Sequence, residues 1–283
     1  MTEDQERRFR QVCEQAYRRN DMQMLEALRY IRDGATYGRK DQGQWKPRLK
    51  EDLPMNNGAM EQKTARHPAK YTDSFIPIFA EKLIGKENVL DIFAGTCKIA
   101  DIKEHGYAGK IYCNELEPEW AEIGLGKVDS INVGDAEFLP YKDDFFEAIC
   151  TSPTYGNRMA DHFEAKDGSK RNTYRHALGR ALDEENTGRM QWGKKYREKH
   201  DRIWKEANRV LKPEGMLILN IKNHIRKGEE IDVSGWQKES ILRAGFELVE
   251  KISVPVTGLG FGANADKRVG HEEIFIFKKK AIQ

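Results

Sequence analysis

The sequence predicts an α/β protein: a mainly parallel seven-stranded sheet with an antiparallel edge strand, preceded by an N-terminal helical extension. Three observations predict it. From residue 65 onward, short apolar runs alternate with stretches of helical periodicity, the pattern of strands joined by crossover helices with both sheet faces covered. Several of those runs stop at an acid or a turn residue, as strands do when they deliver a loop to one end of a sheet. The last two runs, Phe246 to Val254 and Glu273 to Lys278, are joined with no helical pattern between them, which reads as an antiparallel pair at the edge.

Residues 1–34 form the expected helical extension, with Phe9, Val12, Ala16 and Tyr17 at helical spacing and a second stripe in Met24, Leu25, Leu28 and Ile31. Residues 35–64 are polar and aperiodic and read as a linker or loop. The main domain spans 65–283. It opens on a helix carrying Phe75, Ile76, Phe79, Ala80 and Leu83, followed by a strand over Val89 to Phe93 that breaks at Ala94-Gly95-Thr96. Ile111 to Glu115 and Ser130 to Asp135 are the second and third strands, and Phe145 to Thr151 the fourth. A helix with Ile203, Trp204, Ala207 and Val210 leads through Lys212-Pro213-Glu214-Gly215 to a fifth strand over Met216 to Ile221, and Trp236 to Arg243 is helical.

With 48 basic and 46 acidic residues the net charge is +2, so no global field points to nucleic acid and any such contact must be local. The four cysteines, Cys13, Cys97, Cys113 and Cys150, have no metal-ligand spacing and read as buried free thiols of a reducing compartment. His162, His176 and His200 are not spaced as a metal set either. The amino terminus has no apolar signal region and no stretch is long enough to span a bilayer, so the expected location is the cytoplasm.

In open parallel sheets ligands bind at the carboxyl ends of the strands, where the strand order reverses. Asp91 closes the first strand, and Gly95 in the loop after it lets backbone approach a ligand closely. Glu115, twenty positions after Gly95, ends the second strand and suits the two hydroxyls of a ribose. Asp135 ends the third and suits an adenine amino group, with Ala136 leaving room for the ring. Three acids at successive strand ends imply a ligand containing adenosine and argue against a phosphate-rich one; no Gly-Lys-Ser/Thr phosphate loop follows the first strand. After the fourth strand comes Ser152-Pro153-Thr154-Tyr155. Ser152 and the Pro153 carbonyl can accept hydrogen bonds from a planar amino group, and Tyr155 offers a face for a planar base.

This combination resembles the S-adenosylmethionine-dependent amino-methyltransferases of nucleic acids, particularly the DNA methylases of phages and restriction systems. Val89 to Thr96 is similar to their first cofactor motif, and Ser152-Pro153-Thr154-Tyr155 to their catalytic Asp/Asn/Ser-Pro-Pro-aromatic turn. His67-Pro68-Ala69-Lys70 resembles the segment beside the methionine part of the cofactor. The resemblance covers about residues 65 to 155 closely. Two positions depart from the pattern: Thr154 stands for the second proline, and Cys97 where a second glycine often follows.

The resemblance implies a Rossmann-like class I methyltransferase fold and S-adenosylmethionine as cofactor, with no metal. Contacts to that cofactor are implied for Lys70, Tyr71, Asp91, Phe93, Ala94, Gly95, Thr96, Glu115, Leu116, Asp135 and Ala136. Ser152, Pro153 and Tyr155 are then the catalytic residues, acting by direct in-line transfer to N4 of cytosine or N6 of adenine in DNA, with Ser152 leaning toward cytosine. RNA as the substrate, or a cofactor-binding but inactive nucleic-acid module, remain the alternatives. Residues 157–202, a basic insertion interleaved with Tyr174, His176, Trp192 and Tyr196, form the candidate target-recognition segment. Asn157, Arg158, Lys170, Arg171, Arg175, Lys194 and Lys195 are its candidate nucleic-acid contacts.

Overall fold

In a computed structural model, residues 40–41, 44–45, 71–156, 173–226, 228–256 and 269–281 are described. The chain divides into two units, Met1–Thr64 and Ala65–Gln283. Of the first, the described part is a pair of two-residue antiparallel strands, Lys40–Asp41 and Gln44–Trp45, within the expected linker. The expected helical extension lies outside the described residues.

The second unit is organised by seven strands: β1 (Asn88–Asp91), β2 (Lys110–Glu115), β3 (Ser130–Val133), β4 (Phe146–Thr151), β5 (Leu211–Ile221), β6 (Phe246–Pro255) and β7 (His271–Lys279). They lie in the order β6-β7-β5-β4-β1-β2-β3. β1 pairs in parallel with β2 and with β4, β4 with β5, and β2 with β3, while β7 runs antiparallel to both β5 and β6. The antiparallel pair thus closes one edge as expected, with β7 one place in and β6 outermost.

Alternation along each strand sorts the core onto two faces. Val89, Ile111, Ala148, Cys150 and Ile218 point to one, where α1 (Ile76–Leu83) packs through Phe79, Ala80 and Leu83. Leu90, Ile149, Leu217, Leu219 and Phe275 point to the other, against α4 (Lys194–Val210) and α5 (Val233–Arg243). The shorter α2 (Pro118–Gly124) follows β2, and α3 (Tyr174–Leu178) joins it through Tyr174 against Trp120. Cys97, Cys113 and Cys150 are buried free thiols.

Two details differ from the sequence reading. β5 begins at Leu211 rather than Met216; between Leu211, opposite Phe146, and Met216, opposite Ala148, the chain bulges. Pro213 has no N–H for the ladder and Glu214 takes a positive φ of 65°, so the segment stays beside the sheet while skipping its register. The outer strand β6 is irregular as well, with a bulge between Leu248 and Glu250. Glu247 and Lys251 on it are exposed, and Pro255 ends it. Among the described residues no helix is long and apolar enough to cross a membrane.

Candidate active site

Strand order reverses between β1 and β4: the chain runs from β1 outward to β2 and β3, then returns to the other side of β1. The loops leaving β1 and β4 therefore emerge side by side at the carboxyl edge, the place where such sheets bind ligands. Asp91 ends β1 fully buried. Its Oδ1 accepts from Thr151 Oγ1 (2.7 Å) and from the Phe93 amide (3.1 Å), and its Oδ2 accepts from the Tyr71 hydroxyl (2.8 Å). Burial pushes the Asp91 carboxyl up to about 6 against the pull of those three bonds. Its work is to tie the end of β1 to the end of β4 and to shape the loop between. Tyr71, also implied as a cofactor contact, gives its hydroxyl to Asp91 and packs edge-on against Phe79; burial raises its pKa.

The loop 92–96 turns sharply, with Gly95 at a φ of 53° and the Cys97 amide bonded back to the Ala94 carbonyl (2.8 Å). Cys97 itself adopts a φ of 59°, the left-handed conformation in which glycine is at home. Ala94, Gly95 and Thr96 are buried, and the partly exposed Phe93 ring lies 5.9 Å from His200. Glu115 closes β2, 7% exposed, with Oε2 accepting the Gly95 amide (2.7 Å) and Oε1 the Glu117 amide (2.9 Å). Burial pushes it up to about 7, those backbone bonds pulling the other way. A carboxylate offers about four lone-pair positions, more than these backbone bonds occupy, and the adjoining Gly95 admits close approach. Leu116 beside it is half-buried.

Asp135, after β3, is more engaged than its sequence position suggests. Oδ1 accepts the Glu137 amide (3.0 Å) and Oδ2 accepts from Lys199 Nζ. Lys199 is 2% exposed and also reaches Glu185 (3.2 Å) and Glu137 (3.7 Å); burial lowers its pKa, but the carboxylates outweigh this and raise it. Ala136 is buried beside Asp135. These acceptors suit hydroxyl and amine donors of the adenosine type; the cation that follows the loop, Lys98, is already paired with Asp73 (2.9 Å) and Asp101 (2.5 Å). No group of three His, Cys, Asp or Glu side chains among the described residues is placed to hold a metal.

Ser152, Pro153, Thr154 and Tyr155 leave β4 at the switch point; Pro153 is buried and the other three half-buried. Gly156 ends the turn with a φ of 84°, and a Cβ there would lie 3.4 Å from both Met190 O and Trp192 N. Residues 186–192 thus form the bed of the turn.

Of the expected nucleic-acid contacts, Arg175, Lys194 and Lys195 are exposed, the last two in the first turn of α4, where Lys194 stands 3.6 Å from Glu198. Asn157, Arg158, Lys170 and Arg171 lie outside the described residues, as does Lys70. Other cations of the segment serve the fold. Arg180 is paired with Glu119 and, at 2.7 Å, with the buried Glu117, and Arg202 with Glu137 (2.7 Å). Asn220 near the end of β5 and Asn223 just beyond it bond to Glu272 (3.3 Å) and Glu230 (2.8 Å).

Sequence reasoning missed Glu117 and Thr187, and it placed Tyr196 among the aromatics of the nucleic-acid segment, whereas that ring is fully buried. Glu117 Oε1 accepts the Asp183 amide (2.8 Å) and Asn186 Nδ2 (2.9 Å), securing the bed of the turn to the end of β2. Tyr196 donates to the Thr154 carbonyl, and Thr187 bonds the Thr154 hydroxyl (2.7 Å). Helical spacing on α4 held a signal for Tyr196, which heads the stripe Tyr196, Lys199, His200, Ile203, Trp204, Ala207 and Val210. The same stripe places Lys199 inside.

No family model and no curated protein matches the chain. Solved structures of similar fold include the [4+2]-cyclase SpnF (18% identity, 74% of this chain and 81% of that one, TM-score 0.48). A S-adenosylmethionine-dependent methyltransferase from Methanosarcina mazei is similar at 15% identity, over 73% of this chain and 98% of its own, with a TM-score of 0.47. A TehB-like S-adenosylmethionine-dependent methyltransferase from Corynebacterium glutamicum matches at 16% identity over 74% and 90%, with a TM-score of 0.42. The strand order itself is that of the Rossmann-like class I methyltransferase fold expected from the sequence.

Proposed function

We infer that the protein is an S-adenosylmethionine-dependent methyltransferase acting on the exocyclic amino group of a base in DNA, cytosine N4 or adenine N6. One observation carries the reading: the Ser152-Pro153-Thr154-Tyr155 turn leaves β4 directly across the switch point from the acid-tipped ends of β1, β2 and β3. When bound, S-adenosylmethionine supplies an electrophilic methyl group. Glu115 holds the ribose hydroxyls, Asp135 with Ala136 faces the adenine, and Asp91 keeps the 92–96 loop in shape.

The amino nitrogen of a base is a poor nucleophile because its lone pair is delocalised into the ring. Ser152 Oγ and the Pro153 carbonyl accept its two hydrogens, hold it pyramidal and free the lone pair. Tyr155 stacks on the base, which in a duplex is first flipped out of the helix. Arg175, Lys194 and Lys195, with Arg158, Lys170 and Arg171, contact phosphates, so binding to DNA weakens steeply with salt.

The test is incubation with methyl-labelled S-adenosylmethionine and separate DNA and RNA pools, followed by digestion to nucleosides. Label in N4-methylcytosine or N6-methyladenine of DNA supports the reading. Label in RNA alone moves the substrate to RNA, and cofactor binding without transfer to either pool overturns the catalytic assignment.

A further inference from the structure

Thr154 occupies the middle of the proposed catalytic turn, and two arms of hydrogen bonds converge on it. The first is a chain whose direction is fixed by its starting atom. Trp204 Nε1 can only donate, and it donates to Gln237 Oε1 (2.7 Å). Gln237 must then present its Nε2 to the Tyr196 hydroxyl (3.1 Å), and that hydroxyl, having accepted, donates to the Thr154 carbonyl (2.5 Å). Trp204, Gln237 and Tyr196 are all 0% exposed, so no water competes for these groups and the chain polarises cooperatively.

The second arm comes from β2. Glu117, whose amide caps Glu115, holds Asn186 through Nδ2; Asn186 Oδ1 accepts the Gly188 amide (2.9 Å); and Thr187 Oγ1 meets Thr154 Oγ1 at 2.7 Å. Gly188 is shaped to the same contact, since a Cβ there would stand 3.3 Å from Thr154 Cγ2.

We propose that Thr154 is a positioning residue, clamped by Tyr196 through its carbonyl and by Thr187 through its hydroxyl, so that the Pro153 carbonyl and the Tyr155 ring keep their directions. The proposal rests on the amino-methyltransferase reading for what the turn does, but the clamp itself is a property of the turn. The reasoning is geometric. The ring of Pro153 fixes its own φ, and the direction of its carbonyl then depends on the placement of Thr154 Cα. One arm fixes that residue's side chain and the other the peptide plane leading to Tyr155. A hydroxyl-bearing residue can thereby hold at this position what a second proline would hold by ring rigidity. Because the second arm begins at Glu117, next to the expected ribose contact, it also ties the turn to the cofactor end of the sheet.

Two measurements test this on the full-length protein. Amide hydrogen exchange at Ser152, Thr154, Tyr155 and Gly156, without substrate, should accelerate by about tenfold or more in Tyr196→Phe and in Thr154→Val, while Thr154→Ser stays within about twofold of wild type; each arm bond is worth roughly a factor of ten by the usual net value of a hydrogen bond. Thr187→Val gives the same test at a site less buried than Tyr196, should Tyr196→Phe fold poorly. In methyl transfer to DNA, Thr154→Val and Thr187→Val should lower kcat by about tenfold with KM for the cofactor unchanged, and Thr154→Ser should recover it. Unchanged exchange in Thr154→Val and Thr187→Val overturns the clamp even if the wild type methylates DNA. Accelerated exchange with no methyl transfer by the wild type keeps the clamp and removes the base-methylation reading instead.

Discussion

The carboxyl of Glu115 titrates near neutrality, and that makes cofactor affinity a function of pH with a calculable sign. Burial pushes the group up to about 7 in the free protein. A ribose diol donates hydrogen bonds, so it binds the carboxylate and not the acid; below pH 7 binding must first release a proton. Affinity should therefore be level above pH 8 and fall as pH falls through about 7, by about tenfold (~1.4 kcal/mol) between pH 8 and pH 6. The clean probe is 5′-deoxy-5′-methylthioadenosine, which carries the ribose and adenine but no amine that titrates in this range. Calorimetry in buffers of different ionisation enthalpy should find about one proton released per ligand at pH 6 and about a tenth at pH 8. In Glu115→Gln an amide N–H₂ must face the amide of Gly95 or of Glu117, so affinity should drop and its pH dependence vanish. Level wild-type affinity from pH 6 to pH 8, or an unchanged slope in Glu115→Gln, would refute the ribose assignment.

Three further outcomes are expected. Asp91 is pushed from 3.8 to about 6 by burial, worth ~3 kcal/mol of differential interaction; a raised carboxyl contributes stability below its unfolded pKa that is lost as pH rises through the folded one. Asp91→Asn should accordingly remove a ~3 kcal/mol decline in urea stability between about pH 4 and pH 7, and parallel pH profiles for the two proteins would sink this. A Cβ at Gly124 would stand 2.4 Å from Cys97 Sγ and 3.1 Å from Ile131 Cδ1. Gly124→Ala should cost about 1–3 kcal/mol by overpacking, and Cys97→Gly, which also relieves a positive φ, should restore most of it; thermal unfolding of the double variant decides. Tyr155→Ala should bind cofactor normally yet lose about ten- to hundredfold in methyl transfer, the value of one aromatic–base stack. Normal turnover by that variant would remove Tyr155 from the site.

The strands and the helices packed on them were legible because each carries its own period: Val89 and Leu90 on opposite faces, or Ile203, Trp204 and Ala207 on one. The three acidic strand ends were legible because a strand end is a local event. What holds the turn was not. Tyr196 and Thr154 are 42 positions apart, and Glu117 and Asn186 are 69 apart; such pairs leave no periodic trace in one sequence. Lys199 shows the opposite error. It falls within the basic insertion 157–202, yet it lies three positions after Tyr196 on the apolar stripe of α4, and its charge is met by Asp135, Glu137 and Glu185 rather than by solvent.

The outer strand β6 has a consequence beyond the sheet. Among the described residues β6 pairs with β7 alone, and the outer side of such a ten-residue strand is where another chain could extend the ladder. Here the bulge between Leu248 and Glu250 bends that row, Glu247 and Lys251 would carry charge into any added pairing, and Pro255 ends it with a residue lacking an N–H. The exposed Leu248 and Val249 are thus denied a flat edge on which to associate.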